Sequence, residues 1–247
     1  MLMGFEGKTM NANTSVEQPN GKSDLTRRIR KRLLQVAIQF LILAAILFIS
    51  SGRLDWVWAW AYLGLGVGIL AINVLVVSPE LIAERGEIKE DIKGWDRVLT
   101  TLIILPTLGT PIVAGLDLRF GWSPRLALAI QVIALVFWAL AQLLFSWAMA
   151  SNVFFSGAVR IQMDRGHTVA TGGPYRYVRH PGYVAYIAFS LATPLALGSL
   201  WALIPAGLVM CLMVVRTALE DRTLLEELDG YKDYAQRVRY RLLPGIW

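Results

Sequence analysis

The sequence predicts an all-α polytopic membrane protein, with about six transmembrane helices, a C-terminal helical hairpin and a polar loop just ahead of that hairpin. Three observations lead there. Of 247 residues, 55% are hydrophobic and 17% are charged, against about 25% charged in soluble domains. The apolar residues gather in runs of near-spanning length. The basic residues gather on one side of those runs.

A helix needs about 20 apolar residues to cross a bilayer. Leu33–Ser51 meets that length, with no charge between Arg32 and Arg53. Trp56–Val77 and Val98–Leu116 also meet it, and Arg125–Ala150 is longer, interrupted only by Gln131 and Gln142. Gly182–Leu197 and Leu200–Val215 are about 16 residues each and are joined at Gly198-Ser199. They read as a hairpin that crosses and returns, with a re-entrant hairpin as the alternative. The first run follows basic residues as a signal peptide would, but it is too long and lacks a small-x-small cleavage site, so it reads as a retained helix. Residues 1–24 are polar and rich in Asn, Gly, Ser and Lys, and read as a disordered cytosolic tail. The expected organisation is this tail, a four-helix scaffold over 25–150, and a catalytic region over 151–247 made of loop, hairpin and C-terminal tail.

Six spans put both termini on one side. The N-terminal tail, the two loops on that side and the C-terminal part together hold 21 of the 24 Lys and Arg; the opposite turns hold only Arg53, Arg119 and Arg125. By the positive-inside rule both termini are cytosolic, in a bacterial inner membrane or, in a eukaryote, the endoplasmic reticulum. Trp56, Trp58, Trp122 and Trp201 fall near the outer interface, Trp95 and Trp147 near the inner one. This topology accounts for the net charge of +6 without nucleic acid as a partner; membrane lipids are the expected surroundings. The single cysteine, Cys211, rules out an intrachain disulfide and reads as a small packing residue of the sixth span. Two histidines, His167 and His180, are too few for a convincing histidine-cluster metal site, and no metal is expected. Glycines in Leu63–Leu70 read as close helix packing rather than a phosphate loop, and the glutamines within the spans as interhelical hydrogen-bonding groups.

The polar chemistry lies in 152–183 and 216–247. Turns are expected at Asp164-Arg165-Gly166 and Gly172-Gly173-Pro174, with a short extended stretch at Val159–Met163. Arg179-His180-Pro181-Gly182-Tyr183 runs straight into the fifth span. Proline suits the first helical position, where no N–H is needed. The helix start can receive a carboxylate or phosphate, and Arg179 adds a bidentate fork. The alternative is that the arginines hold lipid phosphates and His180 caps the helix. Arg216 and Glu220 are four apart and share a helix face. Arg216 alone is explained by snorkelling; the acids Glu220 and Asp221 are less expected at a basic surface. That helix should end near Asp229-Gly230. Tyr231, Tyr234, Tyr240 and Trp247 then interleave with Lys232, Arg237, Arg239 and Arg241, as in an amphipathic tail that lies on the membrane or folds back over the site. His167 reads as a loop or capping residue.

The string Thr171-Gly-Gly-Pro-Tyr-Arg-Tyr-Val-Arg-His-Pro-Gly-Tyr183, the hairpin after it, Arg216-x-x-x-Glu220-Asp221-x-x-Leu224 and the Tyr231-to-Pro244 ending resemble the isoprenylcysteine carboxyl methyltransferase family, related to the phospholipid methyltransferases. The likeness spans roughly residues 150–247. It implies an integral membrane enzyme that uses S-adenosyl-L-methionine and methylates a prenyl or lipid-like acceptor entering from the bilayer, most readily at a carboxylate. The family's cofactor-binding positions fall on Gly173, Pro174, Tyr175, Arg179, His180, Tyr183, Glu220 and Asp221, and its catalytic ones on Arg216 and Glu220. Where the family has Glu-Glu, this chain has Glu220-Asp221, one methylene shorter. The resemblance implies a methionine carboxylate near Arg179 and His180, an amino group or ribose hydroxyl on Glu220 or Asp221, Tyr175 or Tyr183 against adenine or the methyl channel, and an acceptor carboxylate on Arg216.

Two other readings compete. Membrane sterol and steroid reductases, which use NADPH, have a similar C-terminal half, but the Gly-Pro-Tyr-Arg-Tyr lead and the Arg-x-x-x-Glu-Asp turn favour the methyltransferase. A transporter or membrane scaffold is disfavoured because the spans carry no ionisable residue at their centres.

Overall fold

The computed structural model describes residues 20–87 and 91–247. Among these it is helical, with no strand. The long helices are α1 (Asn20–Ser51), α2 (Val57–Val76), α4 (Gly94–Phe120), α5 (Leu128–Ala150), α6 (Pro181–Leu197) and α7 (Leu203–Glu227); α3 (Pro79–Glu84) and α8 (Tyr231–Arg237) are short. Five of them are long and apolar enough to cross a membrane, and α6 is a shorter apolar helix. The chain is a polytopic membrane protein. Leu41, Ile49 and Leu75, among many large apolar side chains, are exposed as bilayer-facing residues would be. The tail expected over 1–24 falls mostly outside the described residues. Within them α1 already runs from Asn20, because extending a helix that the membrane span has nucleated is cheaper than starting one.

At 1.5 Å per residue α6 is about 25 Å long, near the thickness of a bilayer's apolar core. Two polar ties show how far the hairpin reaches. At one end, the Ser199 hydroxyl in the α6–α7 turn donates to Asp117 of α4, and Ser123 donates to the same carboxylate through its N–H and its hydroxyl. At the other end, Arg216 of α7 pairs with Asp96 in the first turn of α4. The α6–α7 turn therefore lies level with the far end of α4, as a crossing hairpin requires. Small residues allow close packing. A side chain at Gly115 would strike Ser50 of α1, and one at Gly66 would meet the Phe40 ring at 2.9 Å. Gly64 and Gly68 have open space around them, so of the glycines on that stretch of α2 only Gly66 serves packing. Cys211 is exposed and not packed, since its position on α7 points out of the bundle. No strand forms at 159–163; that stretch is irregular and ends in a 3-10 turn, Met163–Arg165, closed by Gly166 at φ +63°. With no neighbouring strand to pair with, an extended stretch has no ladder to join.

Candidate functional site

The polar site forms where the loop over 152–180, the start of α6, the end of α7 and the C-terminal tail converge. Pro181 occupies the first turn of α6 with His180 as its N-cap, and no side-chain capping bond is made. The His180 imidazole turns inward instead, with Nε2 3.2 Å from Asp221 Oδ1 and the ring stacked on Tyr183 at 5.7 Å. Asp221 is fully buried. Its carboxylate also accepts from Arg179 Nη2 at 2.9 Å, Tyr231 Oη at 2.9 Å and Arg241 Nε at 2.8 Å. A buried carboxylate needs this many donors to offset lost hydration.

The same contacts settle the path of the tail, which folds back over the site. The Arg179 and His180 N–H groups donate to the carbonyls of Tyr240 and Arg241, and the Arg179 guanidinium reaches the carbonyls of Ala235 and Val238. Tyr175, Leu228, Tyr231 and Tyr234 form one buried cluster, and Tyr234 Oη donates to the Tyr175 carbonyl at 2.7 Å. Burial pushes the hydroxyls of Tyr175, Tyr231 and Tyr234 above the ordinary phenol range, reinforced at Tyr231 by Asp221. They stay protonated: Tyr231 donates to Asp221 and Tyr234 to the Tyr175 carbonyl, while the Tyr175 hydroxyl accepts from Asn152 Nδ2 at 3.3 Å.

A second buried acid organises the loop. Asp96, fully buried, holds Arg216 through Nε at 2.7 Å and Nη2 at 3.2 Å and accepts from the Val159 N–H at 2.7 Å. Arg216 Nη2 also donates to the Gly157 carbonyl at 2.8 Å, and its guanidinium carbon lies 5.4 Å from the Tyr183 ring centroid. Tyr183 Oη donates to Glu220 through a short hydrogen bond. His167 accepts the Gln162 N–H at Nδ1, closing the loop turn as expected of a capping residue. Burial, then Arg160 and Arg165, lowers its pKa.

These groups surround a cavity of about 800 Å³ with its open mouth included. Of the residues singled out by sequence, Tyr175, Arg179, His180, Tyr183 and Glu220 line it. Asp221 stands behind the wall with its oxygens already held, and Arg179 is largely engaged with Asp221 and the tail. Gly173 and Pro174 shape the backbone rather than the lining. Gly173 has φ +54°, and a side chain there would run into Ser151 and Trp147 of α5; Pro174 is buried in the 3-10 turn Gly173–Arg176. Arg216 is outside the lining and held by Asp96. Sequence reasoning missed Asp96 and the loop residues Asn152, Phe154 and Phe155, and placed Tyr231 and Arg241 only in the tail, without their bonds to Asp221. For Asp96 the sequence held no distinguishing signal, because the same loop also carries Glu80, Glu84, Glu87, Glu90 and Asp91.

Fold and site together define a membrane protein whose spans carry a polar ligand cavity at one end. Residues 127–226 match the isoprenylcysteine carboxyl methyltransferase (ICMT) family. A protein-S-isoprenylcysteine O-methyltransferase of Schizosaccharomyces pombe is 32% identical over 111 residues, covering 44% of this chain and 47% of the relative. A probable protein-S-isoprenylcysteine O-methyltransferase of Oryza sativa subsp. indica is 28% identical over 86 residues, covering 34% and 45%. The matched stretch amounts to about half the length of these curated relatives. Over this region, the loop and hairpin with α5 ahead of them, the chain is similar to the isoprenylcysteine carboxyl methyltransferase family. The match begins earlier than the motifs do because it takes in α5, the helix against which Gly173 and α6 pack.

Proposed function

We propose that this chain is an integral membrane methyltransferase that takes a methyl group from S-adenosyl-L-methionine and places it on the carboxylate of a hydrophobic, lipid-like acceptor, an isoprenylcysteine carboxylate above all, at the cytosolic interface. The observation that carries this reading is the polar cavity, built by the family-matched region and set against apolar spans, so that a polar cofactor and a greasy acceptor can meet at its edge.

The lining fits the cofactor. Glu220, positioned by the Tyr183 hydroxyl, offers a carboxylate to an ammonium or a ribose diol. Phe154, Tyr175 and His167 offer flat ring faces to adenine. The start of α6 favours a carboxylate through its dipole and the Gly182 N–H, since the Arg179 and His180 N–H groups bond the tail and Pro181 has none. Gly182 is needed there, because a side chain would meet the Phe155 ring at 2.8 Å. When bound, the cofactor supplies an electrophilic methyl on a sulfonium. The chain's part is placement: Asp221 locks Arg179, His180 and the tail in register, and Asp96 with Arg216 fixes the wall at Gly157 and Val159. Positioning alone can supply much of the rate of such a transfer. A carboxylate acceptor is ionised at neutral pH, so no general base is required of the protein.

Calorimetric titration of the purified chain in detergent tests this. S-adenosyl-L-methionine is expected to bind and NADPH is not; the reverse would move the chain to the reductase reading.

A further inference from the structure

A second cavity, apolar and about 1,110 Å³ with its mouth, lies between α1, α2 and α5. Phe40, Leu43, Ile69 and Trp138 are among its walls, and Arg32 and Arg85 are among its lining. These arginines sit at the basic, inner ends of their segments. Arg85 Nη1 is buried with no hydrogen-bond partner among the described residues, and neither arginine has an ion pair there. The nearby acids are engaged elsewhere. Glu84 pairs with Arg28 at 3.7 Å and with Arg160 at 3.1 Å, and Glu87 pairs with Arg28 at 2.5 Å. Burial and the neighbouring Arg32 lower the Arg85 pKa to about 10, which leaves it charged at neutral pH. Snorkelling explains an arginine whose head reaches water; it does not explain a buried guanidinium N–H with nothing to donate to. Two like charges at the end of an apolar chamber, with no ion pair of their own among the described residues, complement an anion that carries an apolar tail.

We propose that Arg85, assisted by Arg32, receives the carboxylate of a single-chain amphiphile whose tail fills this cavity. Identifying that amphiphile as the methyl acceptor rests on the function proposed above. The Arg85 guanidinium lies 5.2 Å from the Phe155 ring and 6.0 Å from the Phe145 ring. Phe155 lines the polar cavity and Phe145 the apolar one, and the rings meet edge to face at 5.3 Å. A head group held by Arg85 is thus separated from the polar cavity by one pair of phenylalanines, whose rotation would join the chambers.

The test uses a long-chain fatty acid brominated mid-chain, its methyl ester, and a phosphatidylcholine with the same brominated chains, each titrated into the full chain in detergent. Bromine quenches a tryptophan it touches, and Trp138 lines the cavity. The acid should quench saturably, and Trp138→Phe should remove that component. The ester should bind about tenfold or more weakly than the acid, reflecting the lost charge-assisted pair. Arg85→Gln should weaken the acid to a similar degree, leave the ester unchanged, and keep the wild-type titration with S-adenosyl-L-methionine, which verifies its fold. Equal binding of acid and ester to the wild type, quenching that survives Trp138→Phe, or displacement of the acid by the phospholipid at equal mole fraction would overturn the proposal. If the acid binds as expected yet the chain transfers no methyl group from S-adenosyl-L-methionine to an isoprenylcysteine carboxylate, the binding site stands and the methyltransferase reading falls.

Discussion

The two cavities differ in how their charges are satisfied. Around the polar cavity each buried charge has an internal partner: Asp221 has Arg179, His180, Tyr231 and Arg241, and Asp96 has Arg216. In the apolar cavity Arg85 keeps a buried donor without a partner among the described residues. A network in which each charge is held by a counter-charge keeps its shape before any ligand arrives, whereas a charge with no ion pair among the described residues gains most from one. The first cavity is therefore preorganised, and the second is completed by its ligand.

Substitutions can break or sharpen this contrast. The largest effect is expected at Asp221. Asp221→Ala strands two arginines at a buried site and should cost about 3–5 kcal/mol of stability, measured by thermal unfolding in detergent, with loss of cofactor binding. Next comes the Asp96–Arg216 pair. Either alanine substitution should cost about 1.5–3 kcal/mol, and the double variant clearly less than the sum. Because Arg216 also holds the Gly157 carbonyl, Arg216→Ala should weaken cofactor binding as well as turnover. Unchanged affinity with lost turnover would instead give Arg216 the role of holding the acceptor carboxylate. Glu220→Gln should leave the melting temperature nearly unchanged and weaken cofactor binding about tenfold, while Arg85→Gln leaves it unchanged; calorimetry on the two variants reads the contrast directly. Ser199→Ala, at the far end from both cavities, removes one donor from Asp117 and should cost about 1 kcal/mol with binding unaffected. Arg53→Ala, in an exposed pair with Asp55, should change neither stability nor binding measurably.

The spans were legible because a bilayer demands long apolar runs, and five of the six appear as full-length helices, although α1 begins at Asn20 rather than Leu33 and α7 runs on to Glu227 rather than ending at Val215. The start of α6 was legible because Pro181 marks a first turn. Other features depend on contacts between distant residues. Asp96 meets Arg216 across 120 residues, and no local pattern marks that pairing. Sequence left open whether the tail lies on the membrane or folds back, since the alternating aromatic and basic residues suit both; the bonds from 179 and 180 to 240 and 241 decide it. The glycines of α2 look alike in sequence, yet only Gly66 faces a ring. That Arg85 has no ion pair among the described residues was invisible for the same reason: it depends on Glu84 and Glu87 turning toward Arg28 and Arg160.

The most direct test of the central claim is transfer of label from methyl-labelled S-adenosyl-L-methionine by the purified chain to a lipid-extractable acceptor, followed by mild base. The account predicts incorporation into the apolar fraction as a methyl ester, released by base as volatile methanol. No incorporation, or a label that resists base, would contradict it.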